Sequence, residues 1–505
     1  VRKKQPLLIV LCLFCCLLFA LSFLLERKVS AEERSSAAYP LDVDKDGMQE
    51  YRLEAKGWIT SVTPVVTSNT YEHAVYTHYH YKKNGRSFHL TFAQMENGSV
   101  LYFVRYTASS KAEPVQLQIT ALDTDINQTA WLTTGKEKGW KKTSQISDSF
   151  SSSLYIDANH LFYRIGKVDA HKPLGYTVYT EQPQAEAKVK HMKLRFGHLF
   201  SLTLSANANT ESTTWGMLSA VPLIRWDNQQ AAAKAALLEF EYDKKLREDG
   251  AYYLNETTYR PYEPYSFYRN PANGDGLRAL SFLSGQENGV WFVNVASHLA
   301  YASLRTQTSE GYWETQPRSE WLHKEYNIGY RYMDNRRNAD NATFLLRFNQ
   351  AMPDPAIKQA LRKWDMYLER YSTQHGMKVG QNGLFLPDYV GGAGSKQTHT
   401  SLNHQAANMN YLYEAFVYDG DEQKKQLADR LLEGIVATKN RWVKPDHNLY
   451  YALYPNLKPH AYPDYAYLTR DDLALSQYLL NKIYGEPSAD LQFLIDSKNE
   501  WLRTR

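Results

Sequence analysis

Four groups of residues have the types and spacing to do chemistry. The first is Thr398-His399-Thr400-Ser401-Leu402-Asn403-His404, which follows the loop Gly391-Gly392-Ala393-Gly394. Glycines let backbone approach a ligand, and a helix N-terminus favours an anion. His399 and His404 suit acid–base work or substrate contact, with Asn403 as a polar neighbour. Metal catalysis would need a third ligand at a fitting spacing, and none stands near them. Capping and packing roles are the other reading of the pair.

The second group runs from Tyr312 to Asn341 and holds Trp313, Arg318, Trp321, Tyr326, Tyr332, Asp334, Arg336, Arg337 and Asp340. Aromatic rings stack on pyranose faces and arginine forks clasp carboxylates, so the mixture suits a sugar or uronate cleft. A hydrated loop with internal ion pairs has the same composition. The third group is Asn448-Leu449-Tyr450-Tyr451, then Pro463-Asp464-Tyr465-Ala466-Tyr467 and Arg470. A tyrosine acts as a base only if a neighbouring cation lowers its pKa; otherwise such tyrosines are core residues. The fourth is Asp42-Val43-Asp44-Lys45-Asp46-Gly47 with Glu50. Alternating carboxylates around a glycine bend can wrap calcium as a structural ion. Leu53 at the twelfth position excludes an EF-hand. A polar turn entering the first strand would look the same.

These groups must be carried by elements outside the cytoplasm. Arg2, Lys3 and Lys4 precede a charge-free run from Pro6 to Leu25, which at ~1.5 Å per residue reaches ~30 Å, the depth of a bilayer core. Basic residues before such a run stay inside, so the remainder faces outward. Val29-Ser30-Ala31 fits signal cleavage, and the run is also long enough for an uncleaved membrane anchor, so residues 1–31 read as signal peptide or anchor. Cys12, Cys15 and Cys16, all three cysteines of the chain, lie in this run, so the exported part must hold together without disulfides. Five basic and one acidic residue in the first 31 account for the net charge of +4. The remainder is neutral, with no basic field to gather nucleic acid. No organic cofactor motif stands out.

A length of 505 residues suggests more than one domain. Period-two alternation predicts strands over 74–81, 87–92, 100–106 and 197–204, with Lys83-Asn84-Gly85 as a hairpin turn. Residues 40–226 thus read as an antiparallel β-sandwich. Residues 26–39 read as a tether, 231–245 as a helix and 250–275 as a long surface loop. Beyond about 276 helices dominate. Asp354-Pro355 caps one with the stripe Ile357, Leu361, Trp364, Leu368 and Tyr371. Further stripes start at Leu402 and at Leu427, and Thr469 with Asp472 reads as the capping start of another helix with the stripe Leu475, Leu479 and Ile483. The fold class is α+β multidomain, with 227–505 as an α/α toroid or incomplete α/α barrel.

Residues 402–480 resemble the C-terminal domain of D-glucuronyl C5-epimerases. The likeness is carried by Leu402-Asn403, Leu412-Tyr413-Glu414, Glu433-Gly434-Ile435, Asn448-Leu449-Tyr450, Pro455-Asn456-Leu457 and Asp464-Tyr465. The resemblance implies proton removal from and return to C5 of a uronic acid in a polysaccharide, with a cation stabilising the aci-carboxylate. It places Tyr465 on one catalytic tyrosine and Tyr450 on another tyrosine of the site. Leu453 stands where the family has an arginine, and Thr400-Ser401, beside His399, where it has a tyrosine. Arg470, Arg336 or Arg337 would then supply the cation. A lyase or hydrolase on the same scaffold, with Asp334 and Asp340 as an acidic pair, and a non-catalytic glycan-binding protein are the alternatives.

Overall fold

The computed structural model describes residues 37–122, 129–133, 139–158, 160–282 and 288–505. The expected signal or anchor, with its three cysteines, lies outside them. No helix among the described residues is long and apolar enough to cross a membrane.

The chain is mixed α and β. The strands expected from alternation form over Ala74–Lys83, Arg86–Met95, Val100–Ala108 and Gly197–Leu204. Asn84 and Gly85 both take positive φ in the first hairpin, as its tight turn requires. A six-stranded sheet includes Tyr51–Lys56, Val115–Ala121 and Gly197–Leu204. A fourteen-stranded sheet is built around Glu211–Ser219. That strand pairs along one side with Val100–Ala108. On the other side it forks, Gly216–Ser219 pairing with Phe162–Ile165 and Glu211–Thr213 with Asp169–His171. The fork needs close backbone approach: a Cβ on Gly216 would sit 2.4 Å from the Arg164 carbonyl oxygen, and one on Gly166 2.2 Å from that of Trp215.

Alternation also sorts the faces of the large sheet. Leu90, Tyr102, Val104 and Tyr163 join Leu53, Ile119 and Phe200 of the smaller sheet in one core. Leu101, Phe103, Trp215 and Met217, one residue out of phase, join a second core with Trp291, Val295 and Leu299. The large sheet is therefore covered on both faces at its centre, and burying these side chains is the main source of stability.

Several local readings of the sequence are corrected. The expected helix over 231–245 ends at Leu238, and Lys244–Arg247 is a strand. The cause is tertiary. Buried Arg164 draws Glu239 into an ion pair at 2.6 Å and also bonds Ser153 and the Trp215 carbonyl, while Glu241 accepts from the Ser153 N–H. The expected loop over 250–275 contains the strands Gly250–Leu254 and Ser266–Arg269, which extend the large sheet past residue 227. Part of the expected tether, from Ala37 onward, is likewise a strand.

Among the described residues seven long helices follow: Trp291–Thr306, Asn335–Ala351, Pro355–His375, Leu402–Asp419, Glu422–Ala437, Leu468–Tyr484 and Ala489–Arg503. Asp354 caps its helix as expected, accepting from the Ala356 N–H, and the stripe from Ile357 to Tyr371 is buried. The Leu402–Asp419 helix packs against those at 335–351, 422–437 and 468–484. Thr469 does not cap. It lies inside the first turn and donates to Asp464, while Asp472 pairs with Arg336.

Candidate functional site

Short pairings between loops at one end of the helices build the site. Tyr332–Asp334 pairs with Tyr389–Val390, setting Asp334 opposite Tyr389. Thr400–Ser401 pairs with Ala452–Leu453. The Leu402 N–H bonds the Tyr451 carbonyl, and Tyr450 bridges to Pro463. Segments 332–341, 385–404 and 449–465 are thereby brought together, and the short helix Glu320–Tyr326 closes one side.

Asp388 lies at the centre and is wholly buried. One carboxylate oxygen accepts from the Ser401 N–H at 2.8 Å and lies 3.7 Å from His404 Nδ1. The other is 3.1 Å from His399 Nε2. Burial works against ionisation here, but the two imidazoles and Ser401 prevail and hold its pKa below the ordinary value. His399 is also wholly buried, with Nδ1 2.6 Å from the Tyr326 hydroxyl, which donates in turn to Glu325 at 2.8 Å. Glu325 also accepts from Tyr454. His399 and Asp388 are thus both shut away from solvent by burial.

His404 is placed differently. Asn335 donates its Nδ2 to the Pro387 carbonyl at 2.7 Å, so its Oδ1 must be the acceptor facing His404 Nδ1 at 2.7 Å. The imidazole proton is therefore on Nδ1, and Nε2 carries the lone pair. Burial lowers the His404 pKa against the pull of Asp388 and Asp334, so the ring is a neutral base near pH 7. Asp334 lies 4.0 Å from His404 Nδ1, caps the Asn335–Ala351 helix through the Arg337 N–H, and is nearly buried.

Above this cluster lie aromatic rings. Tyr451 is 5.5 Å from His399 and 6.0 Å from Tyr465, centroid to centroid, and Tyr389 is 5.4 Å from His404. Trp321 packs edge-on to Tyr389, Tyr451 and Tyr462. Tyr465 is 52 % exposed, and Tyr462 is similarly open. Burial, then the Asp334 and Asp388 carboxylates, push the Tyr465 phenol above its ordinary pKa of 10.0.

Of the residues singled out in the sequence, the structure brings together Asp334, His399, His404 and Tyr465, with Tyr332 buried against Tyr389. Asn403 lends its carbonyl to Arg336. Others lie elsewhere. Tyr450 points away and carries Lys444 over its ring at 5.8 Å, because neighbouring residues in an extended segment face opposite ways and Tyr451 takes the inward place. Trp313 is a core residue packed on Trp364, its indole N–H bonded to the Ser303 carbonyl. Arg318 pairs with Glu320 and lies over Tyr330. Arg336 grips Asp472 and Asp340, Arg337 stands at the edge of the cluster but is held by Asp334 at 3.4 Å and by Tyr259 and Tyr268, and Arg470 pairs with Asp471 over Tyr467. None of these guanidinium groups is left as the expected substrate cation, and the pairing of Asp340 with Arg336 removes it as partner to Asp334.

Sequence reasoning missed Asp388, Asn335, Tyr389 and Glu325. Only Pro387-Asp388-Tyr389, a polar turn before the glycine loop, offered a signal. Apart from this cluster, one ligand atom from each of Asp42, Asp44, Asp46 and Glu50 falls within 4.8 Å of the others. A cavity of about 1100 Å³ between the 355–375 and 422–437 helices does not involve the cluster; its Asp365 is taken up by Tyr411 and Lys424.

No family model matches the chain, and no curated protein does. Among solved structures it is similar to a family 76 glycoside hydrolase from a bovine Bacteroides thetaiotaomicron strain, at 11% identity and TM-score 0.37 over 79% of this chain and 76% of that one. It is also similar to the cellobiose 2-epimerase of Spirochaeta thermophila DSM 6192, at 16% identity and TM-score 0.32, covering 45% and 57%. A third is the unsaturated glucuronyl hydrolase of Bacillus sp. GL1, at 15% identity and TM-score 0.30, covering 45% and 58%. Likenesses this distant assign no activity.

Proposed function

We propose that the protein is a carbohydrate-active enzyme that removes and returns a proton at a carbon α to a carboxylate, as a C5-epimerase of uronic acid residues in an extracellular polysaccharide does. The two layers of sheet are on this reading a β-sandwich and the seven helices an incomplete α/α toroid. The N-terminal apolar segment would deliver the enzyme to the cell surface or beyond. The observation that carries the proposal is the tautomer of His404: Asn335 fixes its proton on Nδ1 and leaves the lone pair on Nε2, in a cluster whose aromatic rim includes the half-exposed Tyr465. His404 takes the C5 proton, and Tyr465 gives a proton from the other face. Tyr451, held protonated by burial, donates a hydrogen bond to the developing aci-carboxylate in place of the family arginine. Trp321 and Tyr462 provide apolar faces for neighbouring sugar units.

In deuterated water the protein is expected to place deuterium at C5 of a uronic-acid polymer, read by NMR. A panel of uronans that stays free of deuterium would sink the proposal. Ultraviolet-absorbing unsaturated ends without exchange would instead make it a lyase using the same base.

Asp42, Asp44, Asp46 and Glu50 would hold a structural calcium ion. Burial raises the Glu50 pKa and the Asp44 and Asp42 carboxylates push the same way, a crowding that a cation relieves. Calcium is expected to raise the melting temperature and chelation to reverse it. An identical shift in Asp44→Ala would refute the assignment.

A further inference from the structure

The large sheet carries a second polar cavity. Its face toward the helices runs Leu101, Phe103, Arg105 along one strand, and the helical cover stops after Phe103. Cross-strand pairing then sets His80, His89, Arg105, Thr213 and Asp169 in one row over five strands. The hairpin Lys244–Leu254 overhangs this row. Between them lies a cavity of about 260 Å³, walled by Phe103, Trp215, Tyr179 and Tyr252.

Its charged lining is almost fully compensated from within. Lys245 pairs with Glu181 at 2.6 Å, and Arg247 with Glu211 at 3.0 Å. Glu248 pairs with His78 at 3.0 Å, and Asp249 with Arg269 at 3.0 Å. Asp169 is held by Lys167 at 3.0 Å. Arg105 differs: among the described residues no carboxylate lies within ion-pair reach of it. Its row neighbour His89, whose pKa burial and Arg105 lower to about 4, stays neutral and does not compete for an anion.

We propose that this cavity binds a single pyranose unit carrying one anionic substituent, with Arg105 clasping the anion. The volume suits one sugar ring. The walls are aromatic, and Thr213, His89 and Asp249 offer the mixed donors and acceptors that a ring of hydroxyls requires. A guanidinium fork matches a carboxylate or a sulfate. The site is separate from the His404 cluster and does not rest on the activity assigned there.

Calorimetric titration of the full chain with methyl β-D-glucuronide, glucose 6-sulfate and methyl β-D-glucoside tests this. One or both charged sugars are expected to bind, naming carboxylate or sulfate as the anion, and the neutral glucoside at least ~10-fold more weakly, a difference of ~1.4 kcal/mol. Arg105→Ala, an exposed position that leaves the core untouched, is expected to weaken the charged sugar ~10-fold or more, and Arg105→Lys less. His404→Ala should leave that affinity unchanged. The proposal is overturned by equal affinity for the neutral sugar, by no binding up to about 10 mM, or by a loss seen in His404→Ala but not in Arg105→Ala.

Discussion

His404→Ala is expected to lower the rate of deuterium exchange at C5 by ~10²–10⁴-fold, the span typical of removing a positioned general base. The variant should still fold, at a cost of ~1–3 kcal/mol for leaving the buried Asn335 Oδ1 without a donor, because Asn335 keeps its bond to Pro387. Tyr465→Phe is expected to impair the same reaction by blocking proton return. The pH profile of the wild type follows from the two shifts. The His404 pKa lies below 6.5, so the rate falls only once acidification passes that lowered value. The Tyr465 pKa lies above 10.0, so the donor stays protonated well into the alkaline range. A broad plateau across neutral pH is the expected result. A rate limb centred near neutrality, or exchange that survives His404→Ala, would remove His404 from the base role.

Lys498→Met should destabilise the protein by ~3–5 kcal/mol, because it leaves the Asp464 carboxylate buried without its cation. Lys498 Nζ donates to Asp464 at 2.9 Å and to Asn448 at 2.6 Å, and neither member of the ion pair is exposed. Burial pushes Asp464 up and Lys498 down, so each depends on the other to stay charged. The pair fastens the last helix to the segments carrying Tyr451 and Tyr465, which links stability to the geometry of the site. Denaturant unfolding of Lys498→Met, Asp464→Asn and the double variant measures the coupling. The double variant is expected to be less destabilised than the sum of the singles. A loss below ~1 kcal/mol in Lys498→Met would show the pair to be solvated.

Much of the local structure was legible because local rules governed it. Alternation at 74–83, 86–95 and 100–108 survives because each of these strands is packed on one or both faces. Asp354-Pro355 began a helix because a cap and a pre-set φ act within a few residues. The reading failed at 239–247, where buried Arg164 pulls Glu239 out of helical geometry, a demand from 75 residues away in the chain. It failed also at Tyr450, since which of two adjacent tyrosines faces inward depends on how that segment meets Pro463 and Ala452.

By itself the sequence determined the residue types available for chemistry: two histidines after a glycine loop, an aspartate before an arginine pair, tyrosines around 450–467. It could not say which of them meet. Only the tertiary structure committed Arg336, Arg337 and Arg470 to internal partners, buried His399 and Asp388 completely, fixed the tautomer of His404, and left Tyr465 half exposed. The physical reason is that charge and burial are properties of neighbourhoods. A guanidinium or an imidazole becomes available to a substrate only after the fold has decided which carboxylates and amides have already claimed its hydrogen bonds.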